Sequence, residues 1–312
     1  MTQEIATRDA YGNKLAELGA LHSQIIVMDA DLSGSTKTAV FAKKFPNRFF
    51  NMGVAEQDLM GTAAGLATCG KTVFVSTFAI FATGRAWEPF RQSIAYPHLN
   101  VKVCATHAGL SVGEDGASHQ AIEDIALMRC IPGVKVFVPA DGVETEKMLE
   151  TMVAEEGPCY LRLARAKSPL LFDASYQFKT GVGTLMKKGS DICFFTIGFV
   201  TPMVLEAAAR LESQGFRVTV ANMGSVKPID ADLIVNMAQS HKHLVSVEEH
   251  SIIGGLGAAV AEVLVTHQPK KLLRIGVRDE FGQSGDAMQV LAHYGLSPDG
   301  IVSQTKKFME SN

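Results

Sequence analysis

The chain has 312 residues, of which 47% are hydrophobic, 20% charged and 7% aromatic. That length exceeds one average domain of roughly 150 residues, and the composition is far from the polar, highly charged signature of a disordered chain. With 29 basic and 32 acidic side chains the net charge is −3, and no Lys/Arg block stands out beyond pairs such as Lys187-Lys188, so no basic surface for nucleic acid is evident.

In chain order, β-branched apolar runs predict strands at 24–28, 49–52, 72–77, 101–106, 134–138 and 159–162. Helices are predicted between them at 56–69, 84–96, 120–130 and 143–154. This alternation is the pattern of βα units around a parallel sheet, so the fold class is α/β. From 165 to 180 the periodicity lapses into a mixed stretch read as a linker, and strands resume at 192–197, 217–221, 244–248 and 271–275. Two parallel-sheet domains are expected, at 1–175 and 176–312, the second smaller. The longest apolar run, 73–82, is about half the ~20 residues of a membrane helix and is broken by Ser76 and Thr77. The opening Met1-Thr2-Gln3-Glu4-Ile5 lacks the basic and apolar regions of a secretory signal. Cys69, Cys104, Cys130, Cys159 and Cys193 have no metal-type spacing and read as reduced, small core residues of a cytoplasmic protein.

Helix 56–69 carries Gly61, Ala63, Ala64, Gly65 and Ala67. Each helical Gly costs about 0.5–1 kcal/mol relative to Ala, so a packing reason is expected: a subunit interface or a tightly packed internal helix.

Four segments could carry chemistry. Asn51-Met52-Gly53-Val54-Ala55-Glu56-Gln57 puts a carboxylate at a strand-to-helix junction. It is either a first-turn charge favoured by the helix dipole or a desolvated acid able to share a proton with a bound heterocycle. The loop 105–120, with His107, Asp115 and His119, leaves a strand end and could bind substrate hydroxyls, hold a metal, or merely cap the next helix. Met28-Asp29-Ala30-Asp31-Leu32-Ser33-Gly34-Ser35 could present N–H groups to an anion, although an Asp after a strand is more often a turn or cap. Gly254-Gly255-Leu256-Gly257 is similar to a dinucleotide fingerprint but lacks its third small residue and the acidic residue about 20 positions on.

Taken in order, Gly53-Val54-Ala55-Glu56-Gln57, Ser76-Thr77-Phe78-Ala79-Ile80-Phe81, Gly113-Glu114-Asp115-Gly116-Ala117-Ser118-His119-Gln120 and Pro139-Ala140-Asp141-Gly142 closely resemble the pyrimidine-binding domain of transketolases. Phe281-Gly282-x-Ser284-Gly285, Tyr294-Gly295-Leu296 and the run 254–257 resemble the transketolase C-terminal domain. The resemblance spans essentially the whole chain. The family's diphosphate- and metal-gripping Gly-Asp-Gly followed downstream by Asn is missing: Asp115-Gly116, Asp141-Gly142 and Asp299-Gly300 all lack the leading Gly. The chain therefore resembles the C-terminal subunit of a split transketolase, whose N-terminal subunit is a separate polypeptide.

The resemblance implies thiamine diphosphate as cofactor, with Mg²⁺ or Ca²⁺ held by the partner subunit and no metal ligand in this chain. It implies an α2β2 heterotetramer in which this chain homodimerises, acting on sugar phosphates. Glu56 would hydrogen-bond the pyrimidine N1′ and activate the cofactor. Phe78 and Phe81 would pack on the pyrimidine, and Asp31 and Leu32 would line the cofactor cleft. His107, Asp115 and His119 would bind the donor ketose, the two imidazoles also moving protons near neutral pH. Arg8, Ser35 and Arg165 would clamp the sugar phosphate. Gly84 stands where the family often has an aromatic residue, so that side of the pocket is expected to be more open. Deoxyxylulose-phosphate synthases and 2-oxo-acid decarboxylase β subunits share the fold and the activating Glu. Residues 113–115 and 281–285 favour transketolase, whereas 127–132 is also common in synthase-type sequences. A non-catalytic nucleotide-binding protein using 254–257 is the alternative of another class.

Overall fold

The computed structural model describes residues 3–311, so Met1, Thr2 and Asn312 of the expected domain ranges lie outside it. In chain order the strands are β1 (Glu4–Ala6), β2 (Ile25–Asp29), β3 (Phe49–Asn51), β4 (Thr72–Ser76), β5 (Val101–Ala105), β6 (Lys135–Phe137), β7 (Cys159–Arg162) and β8 (Lys167–Pro169). They continue with β9 (Thr184–Lys187), β10 (Ile192–Thr196), β11 (Val218–Asn222), β12 (Ser225–Lys227), β13 (His243–Ser251) and β14 (Leu272–Val277). One sheet has the order β12-β6-β7-β5-β4-β2-β3, and a second has β14-β13-β10-β11-β9. Within them only β12 and β9 run antiparallel to their neighbours. The continuous apolar runs of β2, β4, β5, β10 and β11 are buried along their whole length, as strands covered by helices on both faces must be.

Two departures from the sequence reading shape the molecule. The stretch read as a linker is anchored: β8 pairs antiparallel with β1, and the buried Asp141 carboxylate accepts the Leu171 and Phe172 N–H groups at 2.6 and 2.9 Å. Beyond it, β12 crosses back to close the β6 edge of the first sheet, so the second half of the chain completes the first half's sheet. One buried apolar cluster accordingly runs from Met28 and Val75 through Val136 to Met223 and Leu256. Neither contact is local, which is why periodicity does not reveal them.

Other elements shift in smaller ways. The helix predicted at 84–96 opens as a wide π turn at Phe81–Arg85, and the one predicted at 120–130 begins only at Asp124 because Gln120 turns inward. Helix Glu56–Thr68 buries Leu59, Met60, Ala63, Ala64 and Ala67, but Gly61 and Gly65 face open space. Close packing inside the chain therefore does not account for these two glycines. Cys104, Cys159 and Cys193 are buried, while Cys69 and Cys130 are exposed, so two of the five cysteines are not core residues. Among the described residues no helix is long and apolar enough to cross a membrane.

Asp141 is the N-cap of helix Gly142–Ala154, accepting the Glu144 N–H at 2.7 Å as well as the two linker N–H groups. Removing a buried acceptor of three donors should cost roughly 3 kcal/mol, so Asp141→Ala should lower the guanidinium unfolding midpoint markedly. An unchanged midpoint would deny the carboxylate its anchoring role.

Candidate active site

The chemistry-bearing side chains stand at the carboxyl ends of the parallel strands, where loops of α/β sheets present ligands. At the end of β2, the buried Asp29 accepts the Leu32 N–H at 2.6 Å and the hydroxyls of Thr36 and Thr38 at 2.6 and 2.8 Å, which shapes the 30–38 loop. Asp31 sits in the left-handed region, φ 63°, and exchanges hydrogen bonds of 3.0 and 2.8 Å with the Asn51 amide. Asn51 Oδ1 also accepts the Gly53 N–H at 3.0 Å, which ties the Asp31–Leu32 loop to the turn delivering Glu56. Asp29 is thus a turn builder, as an Asp after a strand usually is, and Leu32 is half-buried beside it.

Glu56 opens its helix and is only 3% exposed, with Oε2 3.5 Å from Arg85 Nη1. It lies at the lip of an open cavity of about 670 Å³ lined by Val54, Ala55, Gln57, Asp58 and Arg85. The Arg85 guanidinium in turn sits 5.4 Å from the centre of the Phe81 ring. Gly84, exposed and with nothing within 4 Å of where a Cβ would stand, leaves this side open.

Phe81 leads into an aromatic stack. Phe78 lies 6.1 Å from it at an interplanar angle of 15°, and the His107 ring lies 3.8 Å from Phe78. His119 meets both phenyl rings edge-on, its Nδ1 2.9 Å from Ser118 Oγ. His107 adopts φ 55°, and its Nε2 is 3.2 Å from Arg8 Nη1. A guanidinium can only donate, so Nε2 accepts and Nδ1 carries the hydrogen that it donates to Thr106 Oγ1 at 2.8 Å. Burial, reinforced by the charges of Arg8 and Arg165, pushes His107 down to about 3. In the ligand-free chain its imidazole is thus a neutral hydrogen-bonding group that presents Nε2 to Arg8 as an acceptor.

The two arginines come together through β1 and β8. Ala6 lies opposite Lys167, Thr7 then opens the helix Thr7–Leu21 and accepts the Ala164 N–H at 2.8 Å, so Arg8 in that helix's first turn and Arg165 just before β8 stand on the same side of the junction. Arg8 donates to the Ser35 carbonyl at 3.0 Å, so Ser35 enters through its backbone. Burial and the nearby Arg165 charge lower the Arg8 pKa, opposed by Asp9. Both arginines line a cavity of about 240 Å³ with Ser111, Val112, Gly113, Glu114 and, from the second half of the chain, Asp286 and Ala287. Arg165 donates to the Val112 carbonyl at 2.7 Å, and Glu114 and the exposed Asp115 lie 3.6 and 4.0 Å from it.

Behind the site runs a buried polar network that the sequence reading missed. Arg162 donates to Asp124 at 2.8 Å and to the Ala121 and Glu249 carbonyls at 3.0 Å, and Tyr160 donates to the same Asp124 oxygen at 2.6 Å. Glu248 accepts the Leu256 and Gly257 N–H groups at 2.6 and 2.8 Å. The N–H groups that a phosphate would use at the 254–257 turn are therefore already taken, which removes the basis for nucleotide binding there. Burial pushes Glu248 and Glu249 up to about 7 and His250 down to about 4. Only the Glu248-Glu249-His250 cluster beside the glycine run hints at this network in the sequence.

The side chains present suit a planar, weakly basic heterocycle: a buried carboxylate at a cavity lip, and beside it aromatic faces to exclude water. Among the described residues no group of three or more His, Cys, Asp or Glu is placed to hold a metal ion.

Residues 3–169 match the pyrimidine-binding domain of transketolase, and residues 181–301 match the transketolase C-terminal domain. A Methanocaldococcus jannaschii protein assigned provisionally as a transketolase C-terminal section is 48% identical, over 97% of this chain and 95% of its own length. One of the subunits of the apulose-4-phosphate transketolase of Phocaeicola vulgatus is 34% identical over 98% of both chains. A split-gene transketolase, solved as an inactive β4 tetramer, superposes with a TM-score of 0.89 at 50% identity, covering 97% of each chain. Fold and site thus define a two-domain α/β subunit whose first domain is of the pyrimidine-binding type. The chain belongs to the transketolase family, and within it to the C-terminal sections of split transketolases.

His107 should stay neutral throughout the range in which transferases work. Its ring proton resonances should not titrate between pH 5 and 8, and a midpoint near 6.5 would show that neither burial nor the arginines hold it down.

Proposed function

We propose that this chain, paired with a separate N-terminal subunit, transfers a two-carbon glycolaldehyde unit from a ketose phosphate to an aldose phosphate. The observation that carries this reading is the convergence of Arg8 and Arg165 on one small cavity beside His107. Two guanidiniums with bidentate donors suit a phosphate dianion, a group that a small 2-oxo-acid substrate does not carry. The Phocaeicola relative, too, is named for a sugar phosphate, apulose 4-phosphate.

In this reading thiamine diphosphate, when bound, supplies the carbanion chemistry. Glu56 holds the proton at the pyrimidine nitrogen, and Phe78 and Phe81 keep water from that carboxylate. Neutral His107 orients a substrate oxygen through Nε2 once a substrate competes with Arg8, while His119 and Asp115 bind the remaining hydroxyls. Asp31 and Leu32 wall the cofactor cleft. The diphosphate and its Mg²⁺ or Ca²⁺ belong to the partner subunit. The exposed Gly61 and Gly65 face suits a homodimer contact in an α2β2 assembly in the cytoplasm.

The chain alone should show no ketol transfer with saturating thiamine diphosphate and Mg²⁺, and mixing with the partner should restore it. Activity of the purified chain, free of partner by mass spectrometry, would refute the split arrangement. In the restored complex, Glu56→Gln should lower turnover by about 10²–10⁴-fold with folding retained, the range of a positioned acid–base group. Arg165→Ala should raise KM for xylulose 5-phosphate by roughly 10–150-fold, the loss of one charge-assisted partner, and barely affect hydroxypyruvate, which has no phosphate. Equal losses for both donors would return Arg165 to a structural role.

A further inference from the structure

The loop that carries the substrate-facing residues is not held by its own domain alone. Glu249, on β13 of the second sheet, is 2% exposed, and its Oε1 accepts the Ser111 N–H. Its carboxylate also lies against Gly109: a Cβ there would stand 2.5 Å from Glu249 Cδ, and Gly109 already has φ +81°, where a side chain is strained. Ser111 is bonded to Val112, whose carbonyl is the acceptor that holds Arg165 at 2.7 Å. A continuous path therefore leads from the Glu249 carboxylate through the backbone of two residues, Ser111 and Val112, to the Arg165 guanidinium. On the opposite side of the same loop, Gln283 accepts from Gln120 Nε2 at 2.9 Å through its carbonyl, and Ser284 Oγ donates to the Glu114 carbonyl. That second anchor fixes the far end, 114–120, and Gln120 Nε2 also reaches the Leu110 and Gly113 carbonyls at 3.3 and 3.4 Å, so between these two points the Ser111 N–H is the group that Glu249 holds.

We propose that Glu249 is a positioning residue of the sugar-phosphate clamp: the second domain's carboxylate sets the two-residue Ser111–Val112 segment and, through it, the reach of Arg165 into the cavity. The proposal rests on the clamp reading given above for Arg165. It gives the second domain a part in substrate binding although its side chain touches neither substrate nor cofactor.

Facing the carboxylate from the elements packed on it are the Arg162 guanidinium, whose charge favours the ionised form, and Asp124, whose charge opposes it. Oε2 has no hydrogen-bond partner among the described residues, so Ser111 is the side chain's one directional partner. Glutamine keeps an acceptor oxygen at the same reach, whereas alanine leaves the Ser111 N–H buried without an acceptor and aspartate is one methylene too short.

The test compares Glu249→Gln, Glu249→Ala and Glu249→Asp by two independent readouts. In the chain by itself, amide hydrogen exchange of peptides covering 109–116 should accelerate by at least about tenfold in the Ala and Asp variants, the opening expected when one hydrogen bond to a charged group is lost, and remain near wild type in Gln. Peptides covering 192–196 should not change in any of them. In the complex with the N-terminal subunit, the Ala and Asp variants should raise KM for a phosphorylated ketose about tenfold or more while sparing hydroxypyruvate, and Gln should stay within about threefold. If Ala does not fold, Asp carries the comparison. Unchanged exchange at 109–116 in Ala and Asp, exchange rising equally across the second sheet, or matching KM changes for both donors would overturn the proposal. Should the wild-type complex transfer no ketol group, the function reading fails, while the exchange contrast still decides whether Glu249 holds the loop.

Discussion

A guanidinium stripped of water has to find its full set of acceptors within the protein, and Arg162 sets that demand at the centre of this molecule. It ends β7 in the first sheet, yet its acceptors come from the Ala121 carbonyl, the Asp124 carboxylate and the Glu249 backbone in β13 of the second sheet. The two sheets and the loop before Asp124 must therefore reach their native arrangement together. Replacing Arg162 by an apolar residue would leave Asp124 as a buried, unpaired charge, the more costly outcome of breaking such a pair. The loop 105–120 emerges directly from this junction, which is why its geometry belongs to both domains.

The site's electrostatics follow from the same arrangement. Two arginines brought together where the β1–β8 pair ends repel one another, and burial together with their charges disfavours protonation of His107. Glu114 and Asp115 offset part of that positive charge at the cavity mouth. An anion entering the cavity relieves the arginine repulsion directly, so part of its binding free energy is stored in the ligand-free chain as unfavourable charge proximity. Glu56 stands apart from this cluster, linked to it by the Arg85 guanidinium and the Phe81 ring.

What can be read from the sequence follows the range of the interactions involved. The parallel strands, the helix at Glu56 and the loop carrying His107, Asp115 and His119 are encoded by residues close together in sequence, and the ordered motifs put them on an α/β scaffold. Arg8 and Arg165 stand out only by resemblance; their meeting depends on a three-residue strand pair that no periodicity reveals. Arg85 and Thr106 look like ordinary neighbours of a motif. Glu249 and Arg162 are invisible as a pair because 87 residues separate them and their partners are backbone groups, which leave no trace in side-chain patterns. Gly109 is the one local sign of Glu249's approach, and a glycine in a glycine-rich loop does not announce which neighbour requires it.

The return of β12 to the first sheet bears on how the chain folds during synthesis. Until residue 227 has left the ribosome, β6 presents an unpaired row of N–H and C=O groups at the sheet margin. Nascent chains of shorter length therefore carry a sticky template for intermolecular strand addition, and Lys135 at the start of β6 offers limited protection against it. Translation speed through the second half, and chaperone cover of the first half while it waits, become determinants of how much usable protein a cell obtains from each message.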